Sequence, residues 1–255
     1  MTTDFTVSDL GKRSIQSPIK LSLVSGDSFA NYVADGEYVR PSVDAKPGEC
    51  EPLPASALLE KAGPRELLYF APSHVHAAIV TCGGLCPGLN DVIRGITRCL
   101  WYRYGVKRIS GIPYGYNGFL PEKGYEPVVL NPDVVDDIHK VGGTILGSSR
   151  GGGERTSDIV DALERMNVNV LFPVGGDGTQ KGALAIKEEI ARRGLRIAVV
   201  GGPKTIDNDV SFLDRSFGFE TAVARAVDAV TAAHTEAHPR PTGIGPVKLM
   251  GRATG

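Results

Sequence analysis

The sequence predicts an α/β fold, a three-layer parallel sheet with helices on both faces, and three observations carry that expectation. From His74 onward, short apolar runs rich in β-branched residues alternate with longer segments of helical periodicity, the pattern of strand–helix–strand units. Glycine-rich turns follow the apolar runs, at Gly83-Gly84, Gly142-Gly143, Gly175-Gly176 and Gly201-Gly202, as tight connections at strand ends require. The 255 residues are 42% hydrophobic and 22% charged, enough apolar material for a sizeable core.

Residues 1–72 read differently, as an N-terminal extension. Pro41, Pro47, Pro52, Pro54 and Pro64 interrupt any long helix. One edge strand is expected within residues 15–24. Leu58, Leu59, Leu67, Leu68, Tyr69 and Phe70 form an apolar group suited to docking on a neighbouring surface. The segment reads as a partly ordered arm or, alternatively, as an oligomer contact.

The regular part begins with a strand over 75–80 and the turn Thr81-Cys82-Gly83-Gly84-Leu85-Cys86-Pro87-Gly88-Leu89. Asn90 is expected to cap a helix carrying Val92, Ile93, Ile96 and Leu100 on one face. A strand over 106–112 leads to a loop, Pro132 opens a further helix as its first residue, and a second glycine-rich loop covers 142–153. A helix from Ser157, a strand over 168–174 and a helix carrying Ala183, Leu184, Ile186 and Ile190 follow. The strand over 197–200 leads into Gly201-Gly202-Pro203-Lys204-Thr205-Ile206-Asp207-Asn208-Asp209. A long Ala/Val helix runs beyond Phe217 to about His238, and a last strand is expected over 246–250.

Composition excludes several classes. Lysine and arginine number 28 against 29 acidic residues, a formal charge of -1, so there is no bulk attraction to nucleic acid or to a membrane surface. The N-terminal residues carry no signal-peptide pattern, and no apolar run is long enough to span a bilayer. Cys50, Cys82, Cys86 and Cys99 form no CxxC pair and have no histidine at zinc spacing. They read as reduced thiols of a cytoplasmic protein rather than as metal ligands.

Several glycine turns at one sheet edge favour a phosphate ligand, because backbone N–H groups there and at the following helix starts form an anion cradle. Neither a Walker A loop nor a G-x-G-x-x-G turn is present. In Gly175-Gly176-Asp177-Gly178-Thr179 the carboxylate suits Mg²⁺ beside phosphates, or else a helix N-cap. Asp207 and Asp209 lie two apart, on one side of an extended segment. They read as a base toward a substrate hydroxyl and a partner near metal, or as Asx-turn residues. Lys204 would neutralise phosphate charge, or be a solvated loop lysine; Arg150 and Arg252 would grip phosphates, or be surface residues.

Taken together in this order, Thr81-Cys82-Gly83-Gly84, Pro87-Gly88-Leu89-Asn90, Gly142 to Arg150, Gly175-Gly176-Asp177-Gly178-Thr179, Pro203-Lys204-Thr205-Ile206-Asp207-Asn208-Asp209 and Met250-Gly251-Arg252 resemble the phosphofructokinase family over about residues 74–255. The resemblance implies ATP-dependent phosphorylation of the 1-hydroxyl of fructose 6-phosphate. It implies nucleotide contacts from Gly83, Arg150, Gly151, Gly176, Asp177, Gly178 and Thr179, with Mg²⁺ on Asp177. Asp207 would be the base, beside Lys204, Thr205 and Asp209. Thr205, Asp207, Met250, Gly251 and Arg252 would meet the sugar phosphate. Gly178 resembles the ATP users, since pyrophosphate users commonly carry an aspartate there. Lys204 resembles the pyrophosphate users and a divergent ATP-using branch, which the combination and the long arm favour; pyrophosphate is the alternative donor. An arginine of many bacterial members aligns near Gly243.

Family members continue well beyond Gly255. The resemblance therefore implies a nucleotide-binding α/β domain over 73–215, the start of a substrate-binding domain over 216–255, and a homo-oligomer, dimer or tetramer, when full length. The alternative of another class is a truncated, non-catalytic nucleotide-binding or regulatory chain.

Overall fold

The computed structural model describes residues 4–24, 26–42 and 53–249. The expected contacts at Met250, Gly251 and Arg252 lie outside the described residues.

Among the described residues the arm holds four two-residue strands, β1 (Ile15–Gln16), β2 (Tyr38–Val39), β3 (Leu59–Glu60) and β4 (Leu67–Leu68). They pair antiparallel as β1 with β4 and β2 with β3. The strand expected over 15–24 stops at Gln16 because Pro18 has no N–H to give a ladder. Ion pairs Arg13–Asp35 at 2.8 Å, Lys61–Glu37 at 2.7 Å and Arg65–Glu60 at 2.8 Å tie the arm to itself.

The central sheet contains β5 (His76–Thr81), β6 (Arg108–Ile112), β7 (Val128–Val129), β8 (Val170–Gly175), β9 (Ala198–Val199) and β10 (Gly202–Pro203). Its order is β10-β8-β5-β6-β7, with β9 also on β8. Pairing is parallel except at the edge, where β7 runs antiparallel to β6. The sheet is therefore mixed rather than wholly parallel; β7 returns on a loop instead of a helical crossover.

Four helices follow: α1 (Leu89–Arg98), α2 (Thr156–Arg165), α3 (Asp177–Arg192) and α4 (Phe219–Ala237). The side-chain alternation of β5 divides the core in two. Ala78 and Val80 pack with Ile159 and Leu163 of α2 and Ile186 and Ile190 of α3. Ala77 and Ile79 pack with Ile93 of α1, Ile109 and Leu130 on the other face. Every residue of β5 is buried, which is why its sequence reads as a continuous apolar run rather than an alternating one.

Three further expectations differ in the structure. No helix continues from Pro132: Asn131 caps one isolated turn, its Oδ1 accepting the N–H of Val134 at 2.9 Å and its carbonyl that of Val135 at 3.2 Å, and the ladder stops there. A single 3₁₀ turn, Ile138–Lys140, is all that follows. Gly88, at φ 93°, rather than Asn90, precedes α1. Asn90 is inside the helix and buried; its amide donates to Val141 O at 2.8 Å and its Oδ1 accepts Ile145 N–H at 2.9 Å. Residues 246–249 form no strand, because the segment after α4 turns back beside that helix, where Gly245 approaches Ala233 O, and reaches no sheet edge.

β5 lies between β6, its successor in the chain, and β8. The strand order reverses there, so the crevice between the carboxyl ends of β5 and β8 is where a ligand is expected to sit in an open α/β sheet.

Candidate functional site

Four chain segments meet at that crevice. The turn after β5 is held to the 144–149 loop: Gly83 N–H donates to Ser149 O at 2.9 Å, and Ser148 Oγ donates to Gly83 O at 2.6 Å. Thr81 Oγ1 donates to Gly147 O at 2.8 Å. Gly83 is thus brought to the site with its own N–H already committed. Arg150 and Gly151 follow on the same loop, where Arg150 is exposed and has no hydrogen-bond or ion-pair partner among the described residues.

The third segment is the start of α3. Its N–H groups at Thr179 and Gln180 bond Gly176 O at 2.9 and 3.0 Å. Those of Asp177 and Gly178 have no acceptor among the described residues, which leaves two donors at the positive end of a 16-residue helix. Thr179 is buried beneath this turn, and the Tyr116 hydroxyl donates to its carbonyl at 2.8 Å. Space beyond Gly178 is open: a Cβ there would meet nothing within 4 Å. Asp177 does not cap the helix, because Gly176 occupies that position and no side-chain cap forms. Its exposed carboxylate pairs with Lys181 at 2.8 Å, an exposed contact of small value that a divalent cation can replace. The exposed carboxylate fits Mg²⁺, which takes few protein oxygens and completes its shell with water and phosphate, while the two helix-start amides suit phosphate oxygens.

The fourth segment is the stretch after β10. Lys204 N–H donates to Gly175 O at 3.0 Å, continuing the parallel ladder with β8. This places Lys204 behind the glycine turn, 4% exposed, with its ammonium donating to Gly84 O. A solvated loop lysine is excluded. Burial pushes its pKa below the ordinary lysine value; the Cys86 and Cys82 thiols oppose that shift, Arg150 adds to it, and the Asp207 carboxylate opposes it. The thiols stay protonated, since burial raises Cys86 and pushes Cys82 up to about 11.

Asp207 and Asp209 occupy different environments. Asp207 is buried and Asp209 exposed, because Asn208 takes a left-handed φ of 54° and turns the chain between them. The extended geometry that puts both on one side does not form. Thr205 links them: its Oγ1 accepts Asp207 N–H at 3.0 Å and donates to Asp209 Oδ1 at 2.7 Å. Asn208 Oδ1 accepts Ser216 N–H at 2.7 Å, and Ser216 Oγ donates to Thr205 O at 3.0 Å.

Sequence reasoning did not single out Ser216 and Tyr116, and it quoted Ser148 and Asn90 in motifs without the bonds they make; all four hold the site rather than face its centre. Each bond runs to a backbone atom far along the chain, and no spacing rule encodes such a pair. Cys86 is another: its thiol donates to Phe217 O at 2.9 Å and lies close to the Thr205 carbonyl.

Gly218 closes this support. Its φ is 85°, and a Cβ would lie 2.2 Å from Pro87 O and 2.4 Å from Cys86 Sγ. Gly218→Ala is expected to destabilise the protein by on the order of 1–3 kcal/mol, read as a lower chemical-denaturation midpoint. An unchanged midpoint would show that the 86–88 and 216–218 turns do not depend on each other.

Known proteins place this constellation in a family. The family model described as Phosphofructokinase matches residues 76–255. The ATP-dependent 6-phosphofructokinase of Borreliella burgdorferi is 54% identical over 252 residues, 99% of this chain and 56% of that protein. The ATP-dependent 6-phosphofructokinase of Trypanosoma cruzi is 48% identical over 99% of this chain and 52% of its own length. ATP-dependent 6-phosphofructokinase 7 of Arabidopsis thaliana is 55% identical over 79% of this chain and 41% of its own. The chain spans about half the length of these curated relatives. Among solved structures, the T-state phosphofructokinase of Pichia pastoris aligns with a TM-score of 0.56 at 27% identity, over 62% of this chain and 18% of that one. A pyrophosphate-dependent phosphofructokinase from Marinobacter aquaeolei, at 23% identity, shares the fold with the same TM-score over 64% of this chain and 42% of that one. With the motif order, the strand-end crevice and these matches in agreement, the chain belongs to the phosphofructokinase family.

Proposed function

We propose that this chain is the nucleotide-binding and phosphoryl-transfer part of an ATP-dependent 6-phosphofructokinase. It would transfer the γ-phosphoryl group of ATP to the 1-hydroxyl of fructose 6-phosphate, as a cytoplasmic homo-oligomer. The observation that carries the reading is the buried Lys204, whose ammonium meets the 83–84 turn while its backbone N–H bonds the end of β8, with Asp207 three residues on. Residues 73–215 would bind the nucleotide, and 216–255 would begin the domain that holds the sugar phosphate.

In the reaction, the sugar oxygen attacks the γ-phosphorus and the bond from that phosphorus to the β–γ bridging oxygen breaks, so ADP leaves. The hydroxyl proton passes to a carboxylate oxygen of Asp207, the base. Thr205 fixes the backbone of Asp207 through its N–H and orients Asp209. The Asp177 and Gly178 amides and Lys204 stabilise charge on the transferring phosphoryl group. Mg²⁺ held by Asp177, when bound, supplies further neutralisation of the phosphate oxygens. Gly83, Arg150, Gly151, Gly176 and Thr179 frame the nucleotide.

Donor choice rests on the open space at Gly178. Gly178→Asp places a carboxylate at the second residue of α3, a position that favours acidic side chains, so the fold is expected to stand. ATP-dependent kcat/KM should fall by about 100-fold or more, as an added anion faces the nucleotide phosphates. Undiminished use of ATP would remove Gly178 from the donor site.

A further inference from the structure

The opposite edge of the sheet carries a second concavity. A cavity of 370 Å³ lies where the arm meets the amino ends of β5 and β8, and its lining includes Lys12, Ser14, Tyr69, His74, Asn169 and Arg196. No carboxylate lines it among the described residues. Lys12 and Arg196 have no ion pair or hydrogen bond among the described residues, although the neighbouring arm cations Arg13, Lys61 and Arg65 each have a carboxylate partner. Asn169 Oδ1 accepts the N–H of His76 at 2.8 Å. That bond fixes the amide, whose NH₂ has no acceptor among the described residues. One wall is aromatic, with Tyr69 set edge-on to Phe70 at 4.8 Å between ring centroids.

We infer that this cavity is a binding site for a small metabolite that carries a phosphate group on an apolar or aromatic body. Two like charges that line one concave surface repel one another, and an anion bound there offsets that repulsion. The donors are of the kind that recognise phosphate: a guanidinium fork, an ammonium, an oriented amide and a hydroxyl. The Tyr69 wall offers an apolar surface for the remainder of the ligand, and the volume lies in the range of small-molecule sites. The site is separate from the phosphoryl-transfer crevice, because β5 and β8 each run six residues from one to the other, roughly 20 Å at strand rise.

Calorimetric titration with phenyl phosphate tests the assignment, with Lys204→Met protein used to weaken phosphate binding at the crevice. Saturable binding should persist in that variant and be displaced by inorganic phosphate. Adding Lys12→Ala and Arg196→Ala together should weaken it by about tenfold or more, and Arg196→Glu alone should do the same while circular dichroism remains unchanged. Absence of saturable binding to Lys204→Met protein, or equal affinity with and without the Lys12 and Arg196 substitutions, would overturn the proposal.

Discussion

In the proposed reaction, Asp207→Asn is expected to lower kcat for fructose 1,6-bisphosphate formation by about 10³-fold, within the range of general-base contributions, with KM for both substrates changed by less than about threefold. The amide matches the carboxylate in size, so the buried pocket keeps its shape while losing the proton acceptor. The contrast with Asp209→Asn is what makes this informative. Asp209 is exposed and accepts the Thr205 hydroxyl. Its amide can still accept that bond through its oxygen, and the loss in kcat should be about tenfold or less. Comparable losses in the two variants would remove the distinction between base and support. Near-normal turnover in Asp207→Asn protein would place the proton acceptor elsewhere.

The different environments of the two aspartates were not legible from the residues alone. Periodicity correctly placed β5, β6, β8 and three of the helices around it, because each buries a continuous run or one clear face. It failed where polar side chains redirect the backbone. The single turn that Asn131 caps at Pro132 is not continued as a helix, and Asn208 at φ 54° separated two aspartates that an extended spacing puts together. Asn90 shows the same limit from the other side. Its residue type suits a cap, but both ends of its amide are used across the chain, at Val141 and Ile145, and Gly88 takes the helix entry. The motif residues that converge at the strand ends were readable because several glycine turns recur after buried runs in one order, whereas a single such turn also serves ordinary strand–helix connections. The residues that hold them, Ser148, Tyr116 and Ser216, bond to backbone atoms whose proximity exists only in the folded chain.

Lys204→Met is expected to separate activity from stability. The substitution preserves the length and packing of the side chain and removes a charge that is 4% exposed. Loss of this cation from the transferring phosphoryl group should lower kcat by about 10²–10³-fold, comparable to removal of one preorganised electrostatic donor. Stability should move the other way. The native ammonium is desolvated and its pKa is lowered from 10.5, so between the folded and unfolded values the unfolded chain holds more protons and stability rises with pH. The cost of burying the charge is therefore full below the depressed folded pKa and fades as pH approaches about 10.5. Methionine removes the cost but also the bond to Gly84 O; that carbonyl adjoins an open crevice and can turn to water. The variant should unfold at a higher denaturant midpoint than the native protein at neutral pH, with the gain shrinking on titration toward pH 10. A lower midpoint at neutral pH would mean that the ammonium–Gly84 contact outweighs desolvation and that Lys204 holds the turn as well as serving the reaction. The expected result instead assigns the buried charge to catalysis, a stability cost retained at the place where phosphate charge is to be neutralised.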